Sequence, residues 1–133
     1  MSRGLKNNNP LNIRRNNTEW KGLAKVQTDK SFFRFVAPEW GYRAAFITLR
    51  NYRKIHKLKT LRQWITRWAP PIENDTEAYI SYVCNKCKCS PDEEPDINNK
   101  HQMCAIVSAM SFVENGVKAI AENVEKGWAM IEL

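Results

Sequence analysis

Hydrophobic positions recur at intervals of three and four residues over most of the chain, and this spacing predicts a mainly helical protein. Five helices follow from it: 38–56, a second capped by Thr60, a third beginning at 74–76, a fourth over 103–113, and a last one with Ile120, Val124, Trp128 and Ile131 on one stripe. Pro70 and Pro71 should end the second helix, because proline lacks the backbone N–H that a helix interior needs. We expect a loop between the third and fourth helices, at 90–99.

The fourth predicted helix differs from the others because its eleven residues, 103–113, carry no charge and are apolar on nearly every face. A helix of this kind is buried on most sides. We therefore expect it to form the hub of the core. It should end at Glu114-Asn115-Gly116, since glycine is the residue most often found just past a helix C-terminus.

The first 36 residues lack the helical pattern. Residues 1–24 are rich in asparagine, which predicts an ordered loop, because amide side chains bond readily to nearby backbone. From Lys25 to Val36, strand-forming residues flank a polar stretch, which predicts a short β-hairpin. No repeat or linker is visible. The expected fold class is thus mainly α (α+β), with one domain over 1–133.

Charge is unevenly distributed along this chain of 133 residues and net charge +7. Residues 1–68 hold 16 basic and 3 acidic side chains, whereas 69–133 hold 5 and 11. An anionic partner is therefore plausible on charge alone. No apolar run approaches the roughly 20 residues of a membrane span, and the first ten residues lack an apolar signal core. We expect synthesis in the cytoplasm without a signal peptide.

Glu114 is the acid that most suggests chemistry. Burial at the end of an apolar helix disfavours its ionised form, and the negative end of the helix dipole does the same. A carboxylic acid that keeps its proton near neutral pH can protonate the leaving oxygen when a glycosidic bond breaks. The alternative is a surface glutamate beside an ordinary helix stop.

Several motifs carry a resemblance to a known group of enzymes. The order of Asn8-Asn9-Pro10-Leu11-Asn12-Ile13, Trp20-Lys21-Gly22, Phe33, Phe35 and Gly41-Tyr42-Arg43-Ala44-Ala45 resembles that in peptidoglycan-cleaving glucosaminidases of the lysozyme-like superfamily. The stretch from Arg67-Trp68-Ala69-Pro70-Pro71 to Tyr79 is similar to their later Pro-x-Tyr segment. The chain also resembles phage and prophage proteins, often labelled virion structural proteins, with Asn-Asn-Asn-Pro, Trp-Ala-Pro-Pro and Glu-Asn-Gly motifs.

The order of segments departs from that of the glucosaminidases in one respect. There, the catalytic glutamate ends an apolar helix that precedes the Asn-rich segment, whereas here only nine residues precede Pro10. An apolar helix ending in Glu114 instead follows the other segments. The resemblance therefore implies a compact lysozyme-like fold that is circularly permuted, which close chain termini would allow.

The resemblance also assigns roles. It implies that Glu114 is the general acid and that Tyr79 orients or stabilises the reacting centre. Asn9, Asn12 and Trp20 would line a saccharide groove, and Glu73 or Asp75 would be the second carboxylate. Without one, a lytic transglycosylase route becomes more plausible than hydrolysis. The structural alternatives are a core tyrosine, a loop tied down by its own amides, and acids that cap a helix.

The implied function is a peptidoglycan glycosidase of phage or prophage type: a muramidase, a glucosaminidase or a lytic transglycosylase. Its partner would be the glycan strand, reached after lysis or through a virion or secretion apparatus, and virion components could bind it too. A second hypothesis is a non-catalytic virion or wall-binding protein with the same fold. A third is a basic nucleic-acid binder, suggested by the basic and aromatic stretch 43–67; we favour a solvated helical face for most of that stretch.

Four cysteines raise the question of a metal. Cys84, Cys87, His101 and Cys104 could supply the ligands of a structural zinc site, although small buried thiols also pack well in a core. A catalytic thiol paired with His56 or His101 is disfavoured, because nothing near the cysteines suggests an activating turn. No other cofactor is indicated.

Overall fold

The computed structural model describes residues 1–133 and contains six helices, with strand geometry limited to two isolated antiparallel bridges. The helices are α1 (Arg3–Lys6), α2 (Pro38–Lys54), α3 (Leu61–Trp68), α4 (Thr76–Cys87), α5 (Lys100–Asn115) and α6 (Ala121–Ala129). The mainly helical class and the five predicted helices are confirmed. Helix α1 was not predicted; it is a single turn capped by Ser2, whose Oγ accepts a hydrogen bond from the backbone N–H of Leu5.

Two of the predicted helix starts coincide with side-chain caps. Thr60 Oγ1 accepts a hydrogen bond from the backbone N–H of Gln63, and the Gln63 side chain accepts one from the N–H of Thr60, which completes a capping box for α3. Asp75 caps α4 by accepting from the N–H of Ala78. These contacts are local, so the boundaries could be inferred from sequence alone.

Helix α5 is the hub of the fold, since it contacts α1, α2, α4 and α6. It buries Met103, Ile106, Val107, Ala109, Met110 and Ser111 within or beside a hydrophobic core of 24 residues. The expectation that most of its faces are buried needs correction. Phe112 and Val113 near its C-terminal end are 37% and 36% exposed, although the Tyr82 ring of α4 stacks on Phe112.

The predicted β-hairpin at 25–36 is wrong. Phe32 and Phe35 form isolated bridges with Arg14 and Leu23 instead. The amide side chain of Gln27 takes up both backbone polar groups of Arg34, donating to its carbonyl and accepting from its N–H, each at 2.8 Å. A side chain thus fills the place that an opposing strand would occupy, and no regular ladder forms.

Helix α6 closes the fold by packing on α2. Gly127 lies against Tyr42 and Arg43, so closely that a Cβ added there would lie 2.7 Å from the Cβ of Tyr42. Trp128 meets Phe46 edge to face, with ring centroids 5.3 Å apart. Ile120 does not share the buried stripe, because it is the exposed residue that precedes the first turn.

Every helix falls short of the length or the hydropathy that a bilayer-spanning segment requires.

Candidate active site at the end of helix α5

The C-terminus of α5 is fastened to the N-terminal segment by Asn115. Its Nδ2 donates to the carbonyl of Pro10 at 2.8 Å, and its Oδ1 accepts from Ser2 Oγ at 2.7 Å. Gly116 follows with a φ of 72°, and its N–H bonds back to the carbonyl of Phe112. The helix therefore ends where the sequence predicted, and its last turn faces the Asn-rich loop.

Asn12 reaches the last turn of α5 from a strained backbone position. Its φ is 52°, in the left-handed region that asparagine tolerates better than most residues. The neighbouring Leu11 is fully buried and anchors the loop in the core. From this position Asn12 Nδ2 donates to Glu114 Oε1 at 2.7 Å, while its own Oδ1 is buried without a hydrogen-bond partner.

Tyr79 approaches the other oxygen of the same carboxyl group. It lies on the buried side of α4, and its hydroxyl donates to Glu114 Oε2 at 3.0 Å. The carbonyl of Met110 lies 3.4 Å from the same hydroxyl. The phenol thus has a second acceptor within reach, to which it can donate when Glu114 carries the proton itself.

Burial dominates the protonation of Glu114 and raises the pKa of its carboxyl group. The hydrogen bonds from Asn12 and Tyr79 act in the opposite direction, because they stabilise the ionised form, but they do not cancel the cost of burial. Burial, and then the adjacent carboxylate, raise the pKa of Tyr79 well above its ordinary value. The phenol therefore stays protonated and available as a donor.

Glu114 opens onto a cleft of about 340 Å³. The cleft is lined by Leu11, Asn12, Arg14, Phe32, Arg67, Trp68, Ala69, Pro70, Glu73, Asn74 and Glu114. Trp68 forms part of one wall, and its indole N–H donates to the carbonyl of Leu11 at 3.0 Å, which fixes the ring against the Asn-rich loop. An open cleft with an acid and mixed polar and apolar walls can hold a small polar ligand.

Glu73 supplies the second carboxylate that lines this cleft. It pairs with Arg14 at 3.0 Å, with both side chains more than half exposed to solvent. Asp75, the other candidate, is occupied as the cap of α4 and does not line the cleft. Of the two acids singled out from sequence, only Glu73 is placed to share a ligand with Glu114.

Two predicted groove residues lie elsewhere and need correction. Asn9 is fully buried: its Nδ2 donates to the carbonyls of Ile13 and Phe33, and its Oδ1 accepts from the N–H of Ile13. It holds the loop in shape and has no contact with the cleft. Trp20 packs against the core outside the cleft, with its indole N–H buried and unpaired.

Arg67 and Trp68 line the cleft but were given no role from sequence. The sequence feature that could have identified them is their position at the end of α3, immediately before Ala69 and the helix-ending Pro70. A charged and an aromatic side chain held rigidly at a helix end can both face a ligand.

The cysteines and His101 lie in two separate parts of the structure. Cys84, Cys87 and Cys89 lie near the end of α4, whereas His101 and Cys104 border a separate hollow beside α6. No group of three His, Cys, Asp or Glu side chains lies close enough together to hold a metal ion. Burial raises the pKa of Cys87 to about 11 and that of Cys89 to about 12, which disfavours reactive thiolates.

No protein-family model matches the chain. Its sequence is 37% identical over 131 residues to Protein P5 of Pseudoalteromonas phage PM2, an alignment that covers 96% of this chain and 80% of the phage protein. The chain belongs to the family of phage protein P5. Membership in the P5 family agrees with the expectation of a phage-type protein.

Proposed function

We propose that this member of the P5 family cleaves a glycosidic bond of peptidoglycan, with Glu114 as the proton donor. The observation that carries the proposal is a single carboxyl group, held between Asn12 and Tyr79 at the edge of an open cleft, whose pKa burial raises. A sugar-cleaving acid has the same requirement, because the leaving oxygen must receive a proton as its bond to carbon breaks.

The residues around Glu114 would have different roles in the reaction. Asn12 fixes one carboxyl oxygen and Tyr79 the other, so the proton is delivered from a defined direction. After transfer, the same two donors stabilise the carboxylate that forms. Trp68 offers an indole against which a sugar face can pack.

The attacking group depends on Glu73. If the Glu73 carboxylate activates a water, the reaction is hydrolysis and leaves reducing ends. If Glu73 only holds Arg14, the sugar's own hydroxyl can attack and leave an anhydro end, as in lytic transglycosylases. Mass spectrometry of the released muropeptides, for the native chain and for Glu73→Gln, separates the two routes.

A permuted lysozyme-like fold is part of the proposal. In the glucosaminidases that the sequence resembles, the helix ending in the catalytic glutamate precedes the Asn-rich segment. Here the side chains of Ser2, which caps α1, and Asn115, at the end of α5, meet in a hydrogen bond of 2.7 Å between Oγ and Oδ1. A direct connection between Gly116 and Ser2 would restore the order of segments in those enzymes, and this proximity supports the permutation.

The test is turnover of purified sacculi by the native chain, by Glu114→Gln and by a matched Glu122→Gln variant. Glu122 is an exposed acid on α6, paired with Lys126. We expect Glu114→Gln to lower muropeptide release by about 100-fold or more, and Glu122→Gln to leave it unchanged. Muropeptide release by Glu114→Gln at the native rate would show that Glu114 is not the proton donor.

A second candidate is a virion component that binds the cell wall without cleaving it, and a phage relative is compatible with it. In that case the native chain would bind sacculi and release no muropeptides. Glu114→Gln would then leave sacculus binding unchanged, and assays of catalysis would show no difference between the two proteins.

A further inference from the structure

One charged side chain that lines the Glu114 cleft has no partner of opposite charge. Arg14 and Glu73 form an ion pair, and the carboxyl group of Glu114 is held by hydrogen bonds from Asn12 and Tyr79. Arg67 is the remaining charged group of the cleft lining, and it makes no ion pair. The cleft therefore presents one guanidinium that no acidic side chain of the protein contacts.

Arg67 is exposed and differs in this respect from three half-buried arginines of α2 and α3. Arg50 pairs with Glu132, Arg53 with Glu94, and Arg62 with both Glu77 and Asp92. The charge of each of these arginines is therefore paired with an acidic side chain of the protein itself. The Arg67 guanidinium instead lies 5.8 Å from the centre of the Tyr52 ring.

The ring under Arg67 limits the positions that its guanidinium occupies. Tyr52 is held in turn by edge-to-face contact with Trp68, whose ring centroid is 6.1 Å away. A cation supported on an aromatic face keeps its N–H donors free at the edge of the guanidinium plane. Those donors can form two parallel hydrogen bonds with a single carboxylate.

Peptidoglycan differs from an unsubstituted glycan strand by the peptides on its muramyl residues, and these peptides carry free carboxylates. We propose that Arg67 binds a carboxylate of the stem peptide and gives the cleft a preference for glycan that carries free peptide carboxylates. This inference rests on the proposed function, since it takes peptidoglycan as the ligand of the cleft. It assigns Arg67 to specificity, while proton transfer stays with Glu114.

Binding in the Glu114→Gln background tests the inference without turnover. Calorimetry would compare a disaccharide carrying its stem peptide with the same compound after its peptide carboxylates have been converted to amides. We expect an added Arg67→Gln change to weaken binding of the first ligand by about 10-fold, or ~1.4 kcal/mol, and to leave the second unchanged. The effect should shrink as salt concentration rises.

Arg62→Gln is the matched control, because it removes the same charge from the same helix outside the cleft. It should alter binding of neither ligand. The inference is overturned if Arg67→Gln weakens binding of both ligands equally, or of neither. Cleavage of sacculi by the native chain would in that case leave the proposed function intact. Failure of both ligands to bind would contradict the two proposals together. Selective binding without any muropeptide release would overturn only the catalytic proposal.

Discussion

The carboxyl group of Glu114 is subject to two opposing effects. Removal from water favours the protonated form, while the donors Asn12 and Tyr79 favour the ionised form. Because burial is the larger effect, the folded protein binds the proton more tightly than the unfolded chain does. The unpaired Oδ1 of Asn12 and its left-handed backbone add a local cost at the same point. Such costs concentrate where function requires a particular arrangement.

Glu114→Gln should stabilise the protein at neutral pH. A pKa that is raised on folding means that stability is fully present below the unfolded value and falls as pH increases through the folded value. Glutamine has no proton to lose, so the variant avoids that loss. Thermal melts of both proteins between pH 4 and pH 8 should show an advantage for the variant that grows with pH. Equal melting temperatures across the range would contradict a raised pKa.

Tyr79→Phe should move the alkaline limb of the pH–activity profile to higher pH. The tyrosine hydroxyl lowers the pKa of Glu114 by donating to Oε2, so its removal leaves burial less opposed. The maximal rate should also fall, because the carboxyl group loses one of its two fixed partners. Tyr82→Phe is the control, since Tyr82 stacks on Phe112 and makes no bond to Glu114. An alkaline limb that stays in place would show that Tyr79 does not tune the acid.

At the scale of elements, helices α2 to α6 could be predicted from sequence because their signals are local. Periodic apolar residues and the caps Thr60 and Asp75 lie within a few residues of the boundaries that they set. The β-hairpin could not be predicted correctly, because Gln27 competes with a strand for the backbone of Arg34. The segment 25–36 has the composition of a strand, and only the folded structure shows which hydrogen-bond partners its backbone has.

Gly127→Ala should destabilise the contact between α2 and α6. Alanine is the better helix former by about 1 kcal/mol, but its Cβ would meet Tyr42 at 2.7 Å and the backbone nitrogen of Arg43 at 2.9 Å. Overpacking of this kind costs about 1–3 kcal/mol, so the net effect should be destabilising. Urea unfolding is the measurement. A variant as stable as the native chain would mean that α6 shifts away without cost.

At the scale of the whole molecule, the site depends on contacts that sequence spacing does not reveal. Asn12 and Glu114 are 102 positions apart, and Tyr79 and Glu114 are 35 apart. Motif resemblance singled out all three residues, and the structure brings them together. It also singled out Asn9 and Trp20, which lie outside the cleft. Asparagines that shape a loop and asparagines that face a ligand have the same signature in sequence, and only Asn9 is buried with all of its bonds satisfied inside the loop.

Asn115 joins the last turn of α5 to the N-terminal segment, so Asn115→Ala should affect both stability and activity. The change leaves the carbonyl of Pro10 and the hydroxyl of Ser2 without their partner, which should cost about 1–3 kcal/mol. It also releases the last turn of α5 from the loop that carries Asn12. Muropeptide release should therefore fall by more than the unfolded fraction accounts for, even at temperatures well below the melt.

Asn85→Ala provides the comparison, because Asn85 is exposed on α4 and makes no contact with the N-terminal segment. It should keep native stability and native activity. If Asn115→Ala loses stability but retains full activity per folded molecule, the tie between Ser2, Pro10 and α5 serves only to hold the fold together. If activity falls in the fully folded protein, the tie positions Glu114 against Asn12, and the closeness of the chain start to the end of α5 is part of the site.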